Sequence, residues 1–149
     1  MAELQFIPVE EKENLEEFRK LLICLFPVPY PKSFFNDIIA GKIFAFLVRS
    51  NSEVVGCLSW RVLNSERGEI ELLNFGVLVL HRRKGIGGKM LDFVLQKSSA
   101  KAVKLYVQTS NEDAIKFYEN NCFKIVGTED HYYPRLSPPS AHLLTLEID

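Results

Sequence analysis

The run Arg82-Arg83-Lys84-Gly85-Ile86-Gly87-Gly88 is the stretch of this 149-residue chain best suited to hold an anion. It follows a long apolar segment and precedes a helical pattern, so its backbone N–H groups open a helix, unpaired and directed outward. Glycine lets a phosphate reach those groups with no Cβ in the way, and three consecutive cations add charge suited to a diphosphate. Two competing phosphate motifs fail on spacing. In a Walker loop the Gly-Lys pair is followed by Ser or Thr, whereas Gly88-Lys89 is followed by Met90 and Arg83 holds the place of the first glycine. The dinucleotide fingerprint would use Gly85 and Gly87 but meets Met90 at its last glycine. Taken alone, the turn reads as a tight, solvated strand-to-helix connection.

Glu69 and Glu71 are two carboxylates on one face near the start of the apolar strand that leads to this turn. A carboxylate held among apolar neighbours is tuned to act as a base at neutral pH, while one at a strand start is equally read as solvated. Metal chemistry has few ligands to draw on. Cys24, Cys57 and Cys122 are widely separated with no Cys-x-x-Cys, and His81, His131 and His142 include no pair four apart. The three cysteines are expected to be buried free thiols in a reducing compartment.

Elements that position these groups follow from periodicity. Residues 4–9 read as a strand, and Leu15, Phe18, Leu22 and Leu25 form one helical stripe that Pro27 ends. Residues 33–40 read as a short helix with Gly41 as its left-handed cap. Strands over residues 43–49, 54–63 and 69–80 form a meander through polar turns, the third apolar enough to be buried on both faces. A helix over 86–99 carries Met90, Leu91, Val94 and Leu95 on one side. A strand over 103–109 leads into a helix capped by Ser110 or Asn111, with Asp113 completing a box to Ser110. Residues 124–127 and 143–148 read as closing strands around an aromatic loop. The expected architecture is mixed α/β: an antiparallel meander, a parallel pair formed through the crossover at 86–99, and about four flanking helices.

The length suits one domain over residues 1–149. Lys+Arg is 18 and Asp+Glu is 19, so no global field gathers nucleic acid or an anionic membrane. The apolar run at 72–80 is far short of a membrane span. Glu3, Glu10 and Glu11 stand where a signal peptide would be basic, so the reading is cytoplasmic, with the nucleus as a second location.

Arg82-x-x-Gly85-x-Gly87 matches the acetyl-CoA signature of the GNAT acetyltransferases, and Asn111-Glu112-Asp113-Ala114-Ile115-Lys116-Phe117-Tyr118 resembles that superfamily's second cofactor helix. The resemblance covers nearly the whole chain. It implies that the strand residues Phe75, Gly76, Val77, Leu78 and Val79 pair with the pantetheine arm. It implies that Arg82, Arg83, Lys84, Gly85, Ile86, Gly87 and Gly88 hold the pyrophosphate, with Asn111 and Ala114 on the second helix. Tyr118 would lie near the thioester sulfur and hydrogen-bond or protonate the departing thiolate. No metal is implied.

Three further stretches resemble the NatE, or San-type, N-terminal acetyltransferases: Leu25-Phe26-Pro27-Val28-Pro29-Tyr30, Leu105-Tyr106-Val107-Gln108-Thr109-Ser110-Asn111, and His131-Tyr132-Tyr133-Pro134-Arg135 followed by Ala141-His142. By that resemblance Phe26, Pro27, Val28 and Tyr30 line one wall of a peptide slot, Tyr132, Tyr133 and Leu136 the other, and Leu73 the floor. Read from the residues alone, Tyr132 and Tyr133 equally cap a sheet edge. The implied reaction is attack by the α-amine of a protein N-terminus, Met followed by a hydrophobic residue, on acetyl-CoA through a base-assisted water, with the N–H of Val77 at the oxyanion. An α-amine has a pKa of about 7.7–8.0 against about 10.4 for Lys, so it needs only modest base assistance.

The sequence departs from NatE where that family carries a Tyr and a His as a water-holding pair: Glu71 and Tyr106 stand there. Other GNAT enzymes use a central-strand Glu as base, which gives Glu71 that role. Tyr106 takes the other catalytic position by the same resemblance, although an aromatic in a central strand is more often core. Leu80 replaces a common Pro, and Cys122 replaces a Gly, leaving Asn121 to take the left-handed cap. The resemblance also implies docking on a larger ribosome-associated acetyltransferase complex. Two alternatives stand beside this one: a catalytically weak acyl-CoA-binding scaffold, and a GNAT enzyme acting on Lys or a small amine.

Overall fold

The computed structural model describes residues 3–149. In chain order its elements are β1 (Leu4–Pro8), α1 (Lys12–Leu25), α2 (Lys32–Ile39), β2 (Ile43–Ser50), β3 (Glu53–Asn64), β4 (Glu69–Val77), a 3-10 turn (Val79–His81), α3 (Ile86–Ser98), β5 (Ala102–Gln108), α4 (Glu112–Asn120), β6 (Lys124–Glu129) and β7 (Ala141–Glu147). The strands form one seven-stranded sheet in the order β1-β2-β3-β4-β5-β7-β6. β1 to β4 are antiparallel neighbours, α3 crosses over to make β4 and β5 parallel, and β7 inserts antiparallel between β5 and β6.

Each face of the sheet carries its own core. Phe46, Leu58, Trp60, Ile70, Leu72 and Leu144 pack with Met90, Leu91 and Val94 of α3 and with Tyr118 of α4. Phe18 and Leu22 of α1 and Phe34 and Ile38 of α2 pack on Ala45, Leu47 and Cys57 on the opposite face. The helix stops follow local chemistry. α1 ends where Phe26, the residue before Pro27, turns extended at φ −128° and ψ 137°. α2 ends in a Schellman motif: Gly41 at φ 78° donates to Ile38 C=O at 3.1 Å, and Lys42 N–H donates to Asp37 C=O at 2.8 Å.

Several expectations are corrected. β4 stops at Val77 rather than residue 80; Val79 and Leu80 enter the 3-10 turn and are 70% and 86% exposed. Of the two caps expected for α4, Asn111 takes the position, its Oδ1 accepting from Ala114 N–H. Cys122, not Asn121, takes the left-handed position after α4, at φ 73°, and the same Schellman pair of bonds forms there despite the Cβ. Of the three free cysteines only Cys57 is buried, which pushes its thiol up to about 12; Cys24 and Cys122 are exposed.

Candidate active site

Two irregularities in β4 create the site. The first is a bulge: Trp60 pairs with Leu72 and Ser59 with Asn74, so Leu73 is an extra residue opposite β3. A bulge reverses the alternation of the strand beyond it. Ile70 and Leu72 face α3 before the bulge, and Phe75 and Val77 face the same side after it. Gly76 is thereby turned toward α1, where a Cβ would meet Phe26 Cζ at 3.0 Å and Leu25 Cδ1 at 3.2 Å. The second irregularity is a splay. Only Glu69, Ile70 and Glu71 pair with β5, opposite Ala102, Val103 and Lys104, and beyond them the parallel strands part.

Along that splay β4 presents backbone groups with no strand to bond them. Leu78 N–H donates to Val55 C=O at 2.7 Å, on the β3 side. Strand alternation therefore points the backbone N–H and C=O groups of Val77 and Phe75 into the splay, and Arg82 Nε–H reaches the Val77 carbonyl there at 2.8 Å. This narrows the expected pairing edge from residues 75–79 to Phe75 and Val77: Gly76 and Leu78 face β3, and Val79 has left the strand.

The glycine turn closes the far end of the splay. Gly85, at φ 78°, is the N-cap of α3 and provides no side-chain cap, so the first N–H groups of α3 are uncapped. A Cβ at Gly85 or Gly88 would meet nothing within 4 Å, which leaves this helix start open to an anion beside Arg82, Arg83 and Lys84. Two members of the run serve packing with their side-chain positions. Ile86 is buried in the α3 core, and a Cβ on Gly87 would meet the Phe117 ring at 3.0 Å, so Gly87 lets α3 and α4 approach closely. The open helix start, the Cβ-free approach and the unpaired β4 edge together fit a diphosphate joined to an extended amide-bearing arm.

At the near end the splay opens into a cleft of about 800 Å³. The α1–α2 loop brings Phe26, Pro27, Val28 and Tyr30 to one side of it, the β6–β7 loop brings Tyr132, Tyr133 and Leu136 to the other, and Leu73 lies between. Phe75, Asn111, Ala114 and Tyr118 line its splay side, whereas residues 82–88 lie beyond it. All five tyrosines of the chain line this cleft. Tyr106 is not a core residue: Val103, Leu105 and Val107 take the buried side of β5, and Tyr106 faces the cleft, stacked on Tyr132 with centroids 4.2 Å apart. The β6–β7 loop is strapped to the end of β5. Gln108 Nε2–H donates to Pro138 C=O at 2.8 Å, and Thr109 N–H donates to Ser140 C=O at 3.0 Å.

The electrostatics separate donors from acceptors. Burial pushes Tyr30 up to about 12 and holds Tyr118, Tyr132 and Tyr133 above the ordinary phenol value, with the Glu71 carboxylate adding to the effect on Tyr132. These phenols keep their protons at neutral pH and serve as hydrogen-bond donors. Among the described residues lining the cleft there is no histidine, and the carboxylates are Asp37, on α2, and Glu71. Glu71 is not a solvated surface group: it is 8% exposed. Nor is it alone, since Arg61 Nε and Nη2 donate to its Oε1 at 3.0 and 2.7 Å. Glu69 on the same strand pairs instead with Lys104 at 3.3 Å.

Sequence reasoning missed Asn74, Ser59, Arg61 and Gln108. The available signal was Asn74, the one polar side chain interrupting the apolar run. It is buried, its Oδ1 accepts from the Ser59 hydroxyl, and its Nδ2–H donates to the Tyr30 hydroxyl at 2.6 Å. That chain ties the α1–α2 loop to the bulged strand. Asn74→Leu is expected to leave two largely buried hydroxyls unpaired, costing about 2 kcal/mol and lowering Tm by about 4–8 °C. A thermal melt checks it, and an unchanged Tm contradicts it.

Comparison with known proteins agrees with this geometry. Residues 15–122 match the Acetyltransferase (GNAT) family. The chain is 35% identical over 136 residues to N-alpha-acetyltransferase 50 of Danio rerio, covering 88% of this chain and 81% of that protein. It is 33% identical over 136 residues to the probable N-acetyltransferase san of Drosophila melanogaster, covering 88% and 74%. The solved structure of Arabidopsis thaliana Naa50 with the bisubstrate analogue CoA-Ac-MVNAL superposes with a TM-score of 0.86 at 32% identity, over 97% of this chain and 99% of that one. The family match spans the bulged strand, the splay, the glycine turn and both helices that flank it, and the chain belongs to the GNAT acetyltransferase family.

Proposed function

We infer that the protein transfers the acetyl group of acetyl-CoA to the α-amine of protein N-termini. The observation that carries this reading is the convergence of two loops, residues 26–30 and 132–136, across one cleft at the open end of the β4–β5 splay, with Glu71 on its floor. A chain terminus entering between the loops meets the splay end-on, with Tyr, Phe and Pro faces for its first side chains. The Danio and Drosophila relatives support the same reaction, and the analogue bound by the Arabidopsis relative joins CoA to a segment beginning Met-Val. The preferred substrate in this proposal is Met followed by a hydrophobic residue.

Bound acetyl-CoA supplies an activated thioester carbonyl and a thiolate leaving group. In this reading the α3 N–H groups with Arg82, Arg83 and Lys84 bind its diphosphate, while Phe75 and Val77 bind the amide arm, and Asn111 and Ala114 flank it. Glu71 accepts the proton of the attacking amine through a water shared with Tyr106. The Val77 N–H faces the charge that develops on the carbonyl oxygen. Tyr118, kept protonated by burial, hydrogen-bonds the departing sulfur. An α-amine, with a pKa of about 7.7–8.0, is partly neutral before any base acts, which a Lys at about 10.4 is not. Family resemblance also carries docking on a larger ribosome-associated acetyltransferase complex and a cytoplasmic location into this proposal.

Turnover on a peptide panel tests it. A Met-Leu peptide is expected to be acetylated at its α-amine, and the same peptide carrying an internal Lys and a blocked N-terminus is expected to be inert. Equal modification of the blocked peptide would transfer the reading to a Lys acetyltransferase. Acetyl-CoA binding without turnover on any peptide would transfer it to a binding scaffold.

A further inference from the structure

A glutamate has three side-chain torsions, and one standing near a strand start has room to swing toward water; serving as a base requires that it be held. The sheet supplies the means. The β3–β4 register sets Arg61 directly opposite Glu71, and the β4–β5 register sets Lys104 opposite it on the other side. The two cations divide their work. Lys104 bonds Glu69 at 3.3 Å, and Arg61 bonds Glu71 through Nε and Nη2 at 3.0 and 2.7 Å. Both Arg61 bonds fall on Oε1, so the grip immobilises the carboxylate while leaving Oε2 out of it. The Arg61 side chain is 52% exposed and the Glu71 side chain 10%, so the cation reaches in from the cleft rim. Opposite charge at that distance offsets the cost of burying the carboxylate.

We propose that Arg61 is a positioning residue for this acetyl transfer, acting through Glu71 by fixing the orientation of its carboxylate in the cleft. The proposal rests on the reading of Glu71 as the base. A displacement of about 1 Å in a reacting group costs as much as about 10²-fold in rate, and loss of the grip releases the carboxylate by that order of distance.

Steady-state kinetics on a Met-Leu peptide with four variants test this. Arg61→Gln is expected to lower kcat about 10–30-fold, with KM for acetyl-CoA unchanged and the fold intact, because Arg61 lies at the surface. Arg61→Lys, which restores a charge and one donor, is expected to recover kcat to within about threefold of wild type. Added to Glu71→Gln, Arg61→Gln is expected to cause no further loss, as it must if it acts only through Glu71. Lys104→Met, which removes the neighbouring cation, is expected to leave kcat unchanged. A collapse in Glu71→Gln with normal kcat in Arg61→Gln overturns the positioning role and leaves the base reading standing. A further loss in the double variant also overturns it, by showing direct contact between Arg61 and substrate. Full activity in Glu71→Gln removes the base reading itself, and the proposal with it.

Discussion

Glu71→Gln is expected to lower kcat on Met-Leu peptides by about 100-fold, with acetyl-CoA affinity and peptide KM within about twofold of wild type. Positioned proton transfer contributes about 10²–10⁴-fold, and the low end applies because the α-amine is partly neutral before attack. The substitution is nearly isosteric, and the amide oxygen of Gln still accepts from Arg61, so the β3–β4 pair at this point keeps its hydrogen bonds. The competing bases are few. Burial keeps Tyr30, Tyr118, Tyr132 and Tyr133 protonated, and no histidine is among the described residues that line the cleft. Single-turnover acetylation followed by mass spectrometry measures the loss directly. A kcat within about threefold of wild type would mean that bulk water takes the proton and that Glu71 serves only its pairing with Arg61.

Gly56→Ala is expected to cost about 3 kcal/mol or more and to lower Tm by at least about 6 °C. On β3, a Cβ at Gly56 would be driven into the Gly76 carbonyl oxygen, with Gly76 C and Val77 Cα each at 3.3 Å. Every one of these atoms is backbone, so no side-chain rotation relieves the clash and the two strands must separate. The separation falls where β4 presents the backbone groups of Phe75 and Val77 to the splay, and acetyl-CoA affinity is expected to drop at least about 10-fold alongside the melt. Gly127→Ala, where a Cβ meets nothing within 4 Å, is the matched control and is expected to leave Tm unchanged. Calorimetry and isothermal titration read both quantities. A Gly56→Ala protein with wild-type Tm would show that β3 and β4 are less closely apposed than described.

The elements were legible because their signals are local. The apolar stripe of α1, the Pro27 stop, Gly41 at φ 78° and the order of strand, glycine turn and helix each depend on residues near one another in the chain. The parallel β4–β5 pair followed from the crossover through α3. What escaped depends on pairing across strands. Nothing local announces that Leu73 is an extra residue against β3, yet that one insertion decides that Asn74 meets Tyr30 rather than the α3 face. Arg61 meets Glu71 only through the antiparallel register, ten residues apart along the chain. The end of β4 was misread because Leu78, Val79 and Leu80 are as apolar as the strand before them, and composition cannot separate a buried strand end from an exposed 3-10 turn. Tyr106 stayed open between core and cleft for a related reason: its surroundings on β5 are apolar, and only alternation against β7 and the splay determines which side it takes.

The distribution of aromatic residues places two optical reporters in different parts of the protein. Its five tyrosines all line the cleft, while its single tryptophan, Trp60, is 2% exposed on the α3 face, stacked between Phe44 and Phe46. Tyrosine near-ultraviolet absorption and dichroism therefore respond to events in the cleft, and indole emission responds to the integrity of the sheet core. A tyrosine change with constant indole emission marks an event confined to the cleft, and a change in both marks unfolding, with no label attached.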